Sequence, residues 1–213
     1  GLVKKISNDK AIIKVVTPGI DSNVFQAINQ PIKLANKTKL GINPNKITCL
    51  CLGRFSKEKN FLLSLQAFTK LPSDKFQLLL VGDGSEKHQY ERYIKDNSLS
   101  NIYLYPQTLV PIQYYSASDI FLMTSLEESF GQTIIEAAAV GLEIIALKGE
   151  EINTQTENIL GNKSNYCKNN ERDLAEKILE VSNKKDTNSI EMHNFITKRY
   201  NWHKLALQLV QNE

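Results

Sequence analysis

Short apolar runs alternate with helical-period segments along most of the chain. Ile47 to Leu52, Phe76 to Val81, Ile102 to Tyr105, Asp119 to Met123 and Glu143 to Leu147 are compact apolar stretches with polar, Gly or Pro borders. Runs of this kind predict buried strands. Between them the period changes. Phe61, Leu62, Leu65 and Phe68 recur at helical spacing and stop near Lys70 to Pro72. Helices are also predicted from about Ser85 to Asn97, from Val110 to Ser118, and from Gln132 until Gly141 ends the run. Asn165 to Cys167 reads as a last short strand, and Asp173 to Ser182, Ile190 to Tyr200 and Trp202 to Val210 read as amphipathic helices. At the other end, Ala11 to Thr17 predicts a strand, followed by a turn at Pro18-Gly19. Gln26 to Asn45 is polar and rich in Asn and Lys; with only a weak helical signal near Ile32 to Leu40, it reads as a connector.

Strands thus alternate with helices from about residue 46 to residue 183. Parallel strands require such crossovers, so the expected architecture is α/β, a Rossmann-like doubly wound parallel sheet. No internal repeat or low-complexity tract interrupts it.

Composition narrows the function classes. A chain of 213 residues with 41% apolar and 23% charged residues is that of an ordinary globular protein. A net charge of +3 is too mild to argue for nucleic acid, and no basic face is visible. No apolar run is long enough to cross a membrane. Cys49, Cys51 and Cys167 form no disulfide framework; Cys49 and Cys51 would face one side of a strand as small apolar groups. No charged-then-apolar leader follows Gly1, and with the free thiols this gives the expectation of a reducing, cytoplasmic setting. His88, His193 and His203 lack partners at ligand spacing, so no metal site is expected.

The candidate chemistry gathers at three strand ends. After the strand at Asp119 to Met123, Glu128 falls in a loop and Glu136 about a turn and a half inside the next helix. The backbone N–H groups near Phe130, Gly131, Gln132 and Thr133 belong to a helix start, where donors are unpaired and anions are favoured. A ligand there would meet a carboxylate, a row of amides and a second carboxylate, which suits hydroxyl groups on either side of phosphate. The bland alternative is a charged helix start, with Glu127 and Glu128 complementing the dipole. After Leu52 comes Gly53-Arg54-Phe55-Ser56-Lys57-Glu58-Lys59. Gly53 permits close backbone approach, Arg54 offers a fork of donors and Lys59 a point charge; a solvated charged loop is the alternative. After Val81, Gly82-Asp83-Gly84 makes a tight turn; Lys87 stands where a dinucleotide fingerprint has its third glycine, so no hydride-transfer cofactor is implied.

Taken together, Glu128-x7-Glu136 with Phe130-Gly131 inside it, the Arg54 to Lys59 loop and the Gly82-x-Gly84 turn resemble the retaining glycosyltransferases of the GT-B fold that carry an E-x7-E signature, the glycosyl transferases group 1 family. The resemblance spans roughly residues 15 to 205. It implies the donor-binding, C-terminal half of a GT-B enzyme, and retaining transfer of a sugar from a nucleotide-diphosphate sugar to an acceptor hydroxyl. It implies Glu128, Arg54 and Lys59 as catalytic groups, and Gly53, Gly82, Gly84, Phe130, Gly131, Gln132, Thr133 and Glu136 as substrate-binding groups, with Glu136 on the ribose hydroxyls. It implies no cofactor and no metal, which the absence of any Asp-x-Asp pair supports. Residues 1–25 would be the tail of an N-terminal domain and the hinge, 26–200 the nucleotide-sugar domain, and 201–213 a helix returning to that absent domain. The implied partners are the sugar donor, an acceptor glycan or glycolipid of envelope polysaccharide assembly, and the chain's own N-terminal domain, with peripheral association at the inner face of the plasma membrane. Three positions depart from the family pattern: Pro106, where a glycine is usual beside the base; Glu143, where proline is usual; and the Gly149-Glu150-Glu151 stretch. Pro106 lacks a backbone N–H that base recognition would use. These departures keep a non-catalytic nucleotide-binding module open as an alternative, beside a GT-B-shaped sugar-nucleotide epimerase.

Overall fold

The computed structural model describes residues 19–184, 189–202 and 206–207. The strand expected over 11–17 and most of the helix expected over 202–210 lie outside the described residues. The remainder begins with α1 (Gln30–Lys39), β1 (Ile47–Leu52), a 3-10 turn (Lys57–Lys59), α2 (Phe61–Phe68), β2 (Phe76–Val81), α3 (Lys87–Asp96), β3 (Ile102–Tyr105) and α4 (Ile112–Ser116). It continues with β4 (Ile120–Met123), β5 (Glu127–Glu128), α5 (Gln132–Val140), β6 (Glu143–Leu147), β7 (Asn153–Thr154), α6 (Thr156–Leu160), β8 (Asn165–Cys167), α7 (Glu171–Ser182) and α8 (Ser189–Arg199).

Six strands form one sheet in the order β3-β2-β1-β4-β6-β8, and every neighbouring pair is parallel. The four inner strands bury both faces, which is why they read as continuous apolar runs rather than alternating ones. Leu50, Leu79, Phe121, Met123, Ile144 and Ala146 point into one core, covered by α4, α5 and α8. Cys49, Cys51, Leu78, Leu80, Ile120, Leu122 and Ile145 point into the other, covered by α2, α3 and α7. Cys49 and Cys51 are fully buried, as expected of small apolar groups, and burial pushes the Cys51 thiol up to about 12. The sheet is therefore doubly wound. Its strand order reverses direction between β1 and β4, the switch point beyond whose carboxyl ends such sheets bind ligands.

The expected connector holds a helix. Asn29 caps α1 through its side chain, and a proline stands in the first turn. The helix stays because Lys33 and Lys37, one turn apart, are buried and both reach Asp119. Lys33 Nζ lies 2.8 Å from Oδ1 and Lys37 Nζ 2.8 Å from Oδ2. The Thr48 amide also donates to Oδ2 at 2.8 Å, and Asp119 N donates to the Thr48 carbonyl at 2.8 Å. A single carboxylate thus ties α1, β1 and β4 together at the amino ends of the strands, opposite the switch-point crevice. Sequence patterning reads the stretch as polar because the two lysines that face inward carry charge.

Burial alone would raise the Asp119 pKa; the two ammonium groups override it and hold the carboxyl below its usual range. A depressed carboxylate contributes stability that is present above its unfolded pKa, about 3.9, and is lost as pH falls through the folded value. Asp119→Ala, which leaves two buried ammonium groups without an anion, is expected to destabilise the fold by about 3–5 kcal/mol at pH 7. Urea denaturation measures this, and the gap between variant and parent should shrink in acid below about pH 4.

Candidate functional site

The carboxyl ends of β1, β2 and β4 carry three loops that lock onto one another. Gly53 N donates to the Val81 carbonyl at 3.0 Å, Phe55 N to the Asp83 carbonyl at 2.8 Å, and Glu86 N to the Phe55 carbonyl at 3.0 Å. The loops after β1 and β2 are in effect a backbone zipper. This is what Gly82 and Gly84 permit. A Cβ on Gly82 would stand 1.9 Å from the Gly53 carbonyl oxygen, and one on Gly84 would stand 2.4 Å from that of Phe55. Phe55 anchors the zipper from below, fully buried and edge-on to Phe61 and Tyr90 at 6.0 and 5.3 Å. A cavity of about 300 Å³ opens above, lined by Leu52, Gly53, Arg54, Val81, Gly82, Asp83, Gln107 and Thr108. Arg54 is exposed at its edge, and no described residue engages its guanidinium in a hydrogen bond or ion pair.

The loop after β1 is also pinned to the loop after β4. Leu126 N donates to the Glu58 carbonyl at 2.8 Å and Thr124 Oγ1 to the Lys59 carbonyl at 3.0 Å. These bonds deliver Lys59 to Glu128, and the two side chains form an ion pair 69 positions apart in sequence. Glu128 differs from expectation in one respect. It lies in the two-residue strand β5, which pairs with β7 in a small second sheet, with Glu128 opposite Thr154. That pairing holds its backbone, where a free loop would not. Burial would raise the Glu128 pKa, but Lys59 together with the Gly131 and Phe130 amides holds it below the ordinary carboxylate range. Both partners are mostly buried, with 21% of the Lys59 and 16% of the Glu128 side chain exposed.

Helix α5 starts at Gly131 in the left-handed region, φ 70°, where a Cβ would collide with Ile159 at 2.6 Å. Gly131 N reaches Glu128 Oε1 at 3.4 Å, and no described side chain caps the helix. Its first-turn amides therefore face the same side as Glu128 and Lys59. One turn further in, Glu136 is half-buried. Tyr115 Oη donates to its Oε2 at 2.9 Å and Gln132 Nε2 to its Oε1 at 3.1 Å. Burial dominates and raises the Glu136 pKa, while those two donors moderate the rise. Gln132 Nε2 also lies 3.3 Å from the Gly19 carbonyl. Gly19 in turn packs under Trp202, whose ring a Cβ there would meet at 2.7 Å, and Ile20 N bonds the Tyr200 carbonyl at 2.7 Å.

The structure thus brings Lys59, Glu128 and Gly131 into direct contact and places Gly53, Arg54 and Gly82 around one cavity. Glu136 and Gln132 form a second cluster on the same helix. Gly84 packs against the Phe55 backbone outside the residues that line the cavity, Thr133 is half-buried with its carbonyl 3.4 Å from Tyr115 Oη, and Phe130 is 62% exposed. Sequence reasoning missed Tyr115 and Thr124, whose partners are 21 and 65 positions away and leave no local pattern. Among the described residues no group of His, Cys, Asp or Glu has the arrangement of a metal site, and no helix is long and apolar enough to cross a membrane.

Comparison with known proteins gives this geometry a family. The profile of glycosyl transferases group 1 matches residues 33–202. The alpha-monoglucosyldiacylglycerol synthase of Streptococcus pneumoniae is 29% identical over 175 residues, which cover 79% of this chain and 39% of that protein. The D-inositol 3-phosphate glycosyltransferase of Mycobacteroides abscessus is 31% identical over 153 residues, 68% of this chain and 33% of that protein. The chain therefore spans between a third and two fifths of the length of these relatives. Among solved structures, Anabaena HepE in complex with UDP and glucose superposes with a TM-score of 0.82 at 19% identity, over 93% of this chain and 55% of that one. The C-terminal domain of a glycosyl transferase group 1 protein from Francisella tularensis superposes with a TM-score of 0.68 at 20% identity, over 86% of this chain and 100% of that one. The fold is that of one half of a GT-B glycosyltransferase, as the resemblance implied. With most of its length matched by the profile, the chain belongs to the glycosyl transferases group 1 family.

Proposed function

We propose that this chain is the donor-binding half of a retaining glycosyltransferase, which moves a sugar from a nucleotide-diphosphate sugar to an acceptor hydroxyl. The observation that carries the reading is the meeting of Lys59 and Glu128 at the sheet's switch point, with Lys59 on the same loop that presents the exposed Arg54 at a cavity. A basic loop, exposed amides and a depressed carboxylate there match a ligand that joins anionic phosphate to a hydroxyl-rich sugar. The family membership and the UDP and glucose bound to the Anabaena relative support it.

In this reading Arg54, Lys59 and the amides at Gly131, Gln132 and Thr133 take the diphosphate. Lys59 has two anionic claimants, Glu128 in the free site and phosphate in the loaded one. When the sugar–phosphate bond breaks, negative charge grows on the departing diphosphate, and fixed positive charge that meets it there lowers the barrier. Glu128, relieved of part of its ion pair, faces the sugar, whose transition state is cation-like and is favoured by a nearby carboxylate. Glu136 accepts from the ribose hydroxyls, and the cavity beside Gly53, Gly82 and Gln107 receives the nucleoside. Gly84 serves by letting the two loops close. Phe130 stands at the open rim toward the acceptor. Two cations and a row of amides suit a reaction without metal or other cofactor.

The acceptor side belongs to the rest of the protein. Relatives named for glycolipid and O-antigen synthesis favour an envelope glycan or glycolipid acceptor, handled in the cytoplasm at the inner membrane face.

Removing one preorganised donor at such a site raises the barrier by about 3 kcal/mol. Arg54→Ala combined with Lys59→Ala is therefore expected to lower turnover of the intact enzyme by at least about a hundredfold. The fold should survive with a lowered melting temperature, because Glu128 loses its ammonium partner, and a folded double variant with parental rate would remove the phosphate assignment. Glu136→Ala loses a hydrogen bond to a charged acceptor, about 1.5–3 kcal/mol, and so about ten- to hundredfold in nucleotide affinity by calorimetry. The reading as a whole is checked by thermal shift against nucleoside diphosphates and their sugars. A ligand at a hundred times its Kd adds about 2.7 kcal/mol to stability. No shift with any of them, and no sugar transfer, would sink it.

A further inference from the structure

We infer that Tyr115 is a positioning residue for Glu136: it fixes the carboxylate so that the remaining lone pairs face the ribose of the donor, an inference that rests on the ribose role proposed for Glu136. Tyr115 sits on α4 and is fully buried, so it cannot touch a ligand itself. Its ring is wedged edge-on against Phe25 at 6.0 Å and tilted against Phe121 at 6.0 Å. A ring held on two sides gives the hydroxyl one place to point, and it points at Glu136 Oε2, 2.9 Å away. The Thr133 carbonyl is also near, at 3.4 Å, but the hydroxyl has one proton, and the shorter contact to a carboxylate takes it.

Glutamate has three rotatable bonds, and a half-buried one with no donors would swing. Here each oxygen has its own donor, Tyr115 on Oε2 and Gln132 on Oε1. A carboxylate has about four acceptor sites, so two remain. They are set in direction before the ligand arrives, and the ordering of the side chain is no longer subtracted from binding. Gln132 is a part-buried amide whose Nε2 is shared with the Gly19 carbonyl, whereas Tyr115 is fully buried with its ring packed on two sides, which makes it the residue that sets the angle.

The test is Tyr115→Phe in the complete protein, which removes one oxygen and keeps the ring. Calorimetry compares UDP, ADP, GDP and CDP with their 2′,3′-dideoxy counterparts. Wild type is expected to bind at least one ribonucleotide about tenfold or more tighter than its dideoxy form, the worth of a hydrogen bond to a charged group. Tyr115→Phe should shrink that preference to about threefold or less and leave the dideoxy affinity within about twofold. KM for the sugar donor should rise while kcat changes little, since the contact is made equally in ground and transition states. Phe25→Leu, which keeps the hydroxyl and frees one of the two sides that hold the ring, should weaken the preference only in part, by less than Tyr115→Phe does. Equal losses for ribo and dideoxy forms, or a parental preference in Tyr115→Phe, overturn the inference. So does a Tyr115→Phe protein that fails to fold, because the hydroxyl would then be needed for the fold itself. Absence of ribose preference in wild type would remove the Glu136 role and this inference with it, while leaving the diphosphate assignment to its own double variant.

Discussion

The meeting of Lys59 and Glu128 depends on two bonds between loops, from Leu126 N to the Glu58 carbonyl and from Thr124 Oγ1 to the Lys59 carbonyl. A parallel sheet positions its strand ends to within a strand spacing, about 5 Å. That is too coarse to bring a particular ammonium group onto a particular carboxylate. The backbone bonds supply the remaining precision, and they are possible only because β1 and β4 are neighbours. Elsewhere in the sheet consecutive strands are joined by a crossover that returns to the next position outward. Only at the switch between β1 and β4 do two carboxyl-end loops diverge, one leading to each face, and leave a crevice between them. The topology gives the place; the loop bonds make it a site.

The alternation of apolar runs with helical periods made most of the fold legible. All six sheet strands and α2, α3, α4, α5, α7 and α8 fall within a few residues of the patterned stretches, because a doubly covered strand buries most of its positions and leaves an uninterrupted signal. The failure at α1 has a physical cause. Its inward residues are Lys33 and Lys37, and no pattern rule that equates inside with apolar can see a helix held by a shared aspartate. Glu128 was legible as a residue but not as a conformation. A two-residue strand that pairs with another two-residue strand carries no period at all. Tyr115 was hidden for a related reason: its meaning lies in a carboxylate on another helix, and in sequence it is one aromatic among several beside an apolar strand.

The glycines show the same division between what sequence offers and what structure decides. Gly82 and Gly84 read as a turn that brings backbone near a ligand. In the folded chain what they approach most closely is other backbone, the carbonyls of Gly53 and Phe55. The two readings are compatible for Gly82, which also lines the cavity, and diverge for Gly84, which does not. A glycine motif therefore locates a close approach without naming the partner. Here the close approach builds the floor on which Arg54 stands.

The two glutamates of the site are driven in opposite directions, and that contrast says more than either alone. Glu128 is held below the ordinary carboxylate range by Lys59 and two amides; Glu136 is raised, chiefly by burial. A depressed carboxylate stabilises the fold once pH exceeds its unfolded pKa, whereas a raised one works against the fold when ionised, so the stability it removes is lost as pH rises through that range. Structure alone would replace a residue in Glu136's position by a neutral one. The chain instead surrounds it with Tyr115 and Gln132, two neutral donors that partly lower its pKa and direct it without neutralising it. A cation in Tyr115's place would have made Glu136 a second salt bridge, stable and spent. A phenol leaves the carboxylate acceptor sites to spare, which in the proposed function would take hydroxyl groups from outside. Opposed pKa shifts on two carboxylates that flank one helix start are consistent with two different tasks, and in the proposed function the ion-paired acid would stand beside phosphate while the under-satisfied acid deeper along the helix would meet hydroxyl groups.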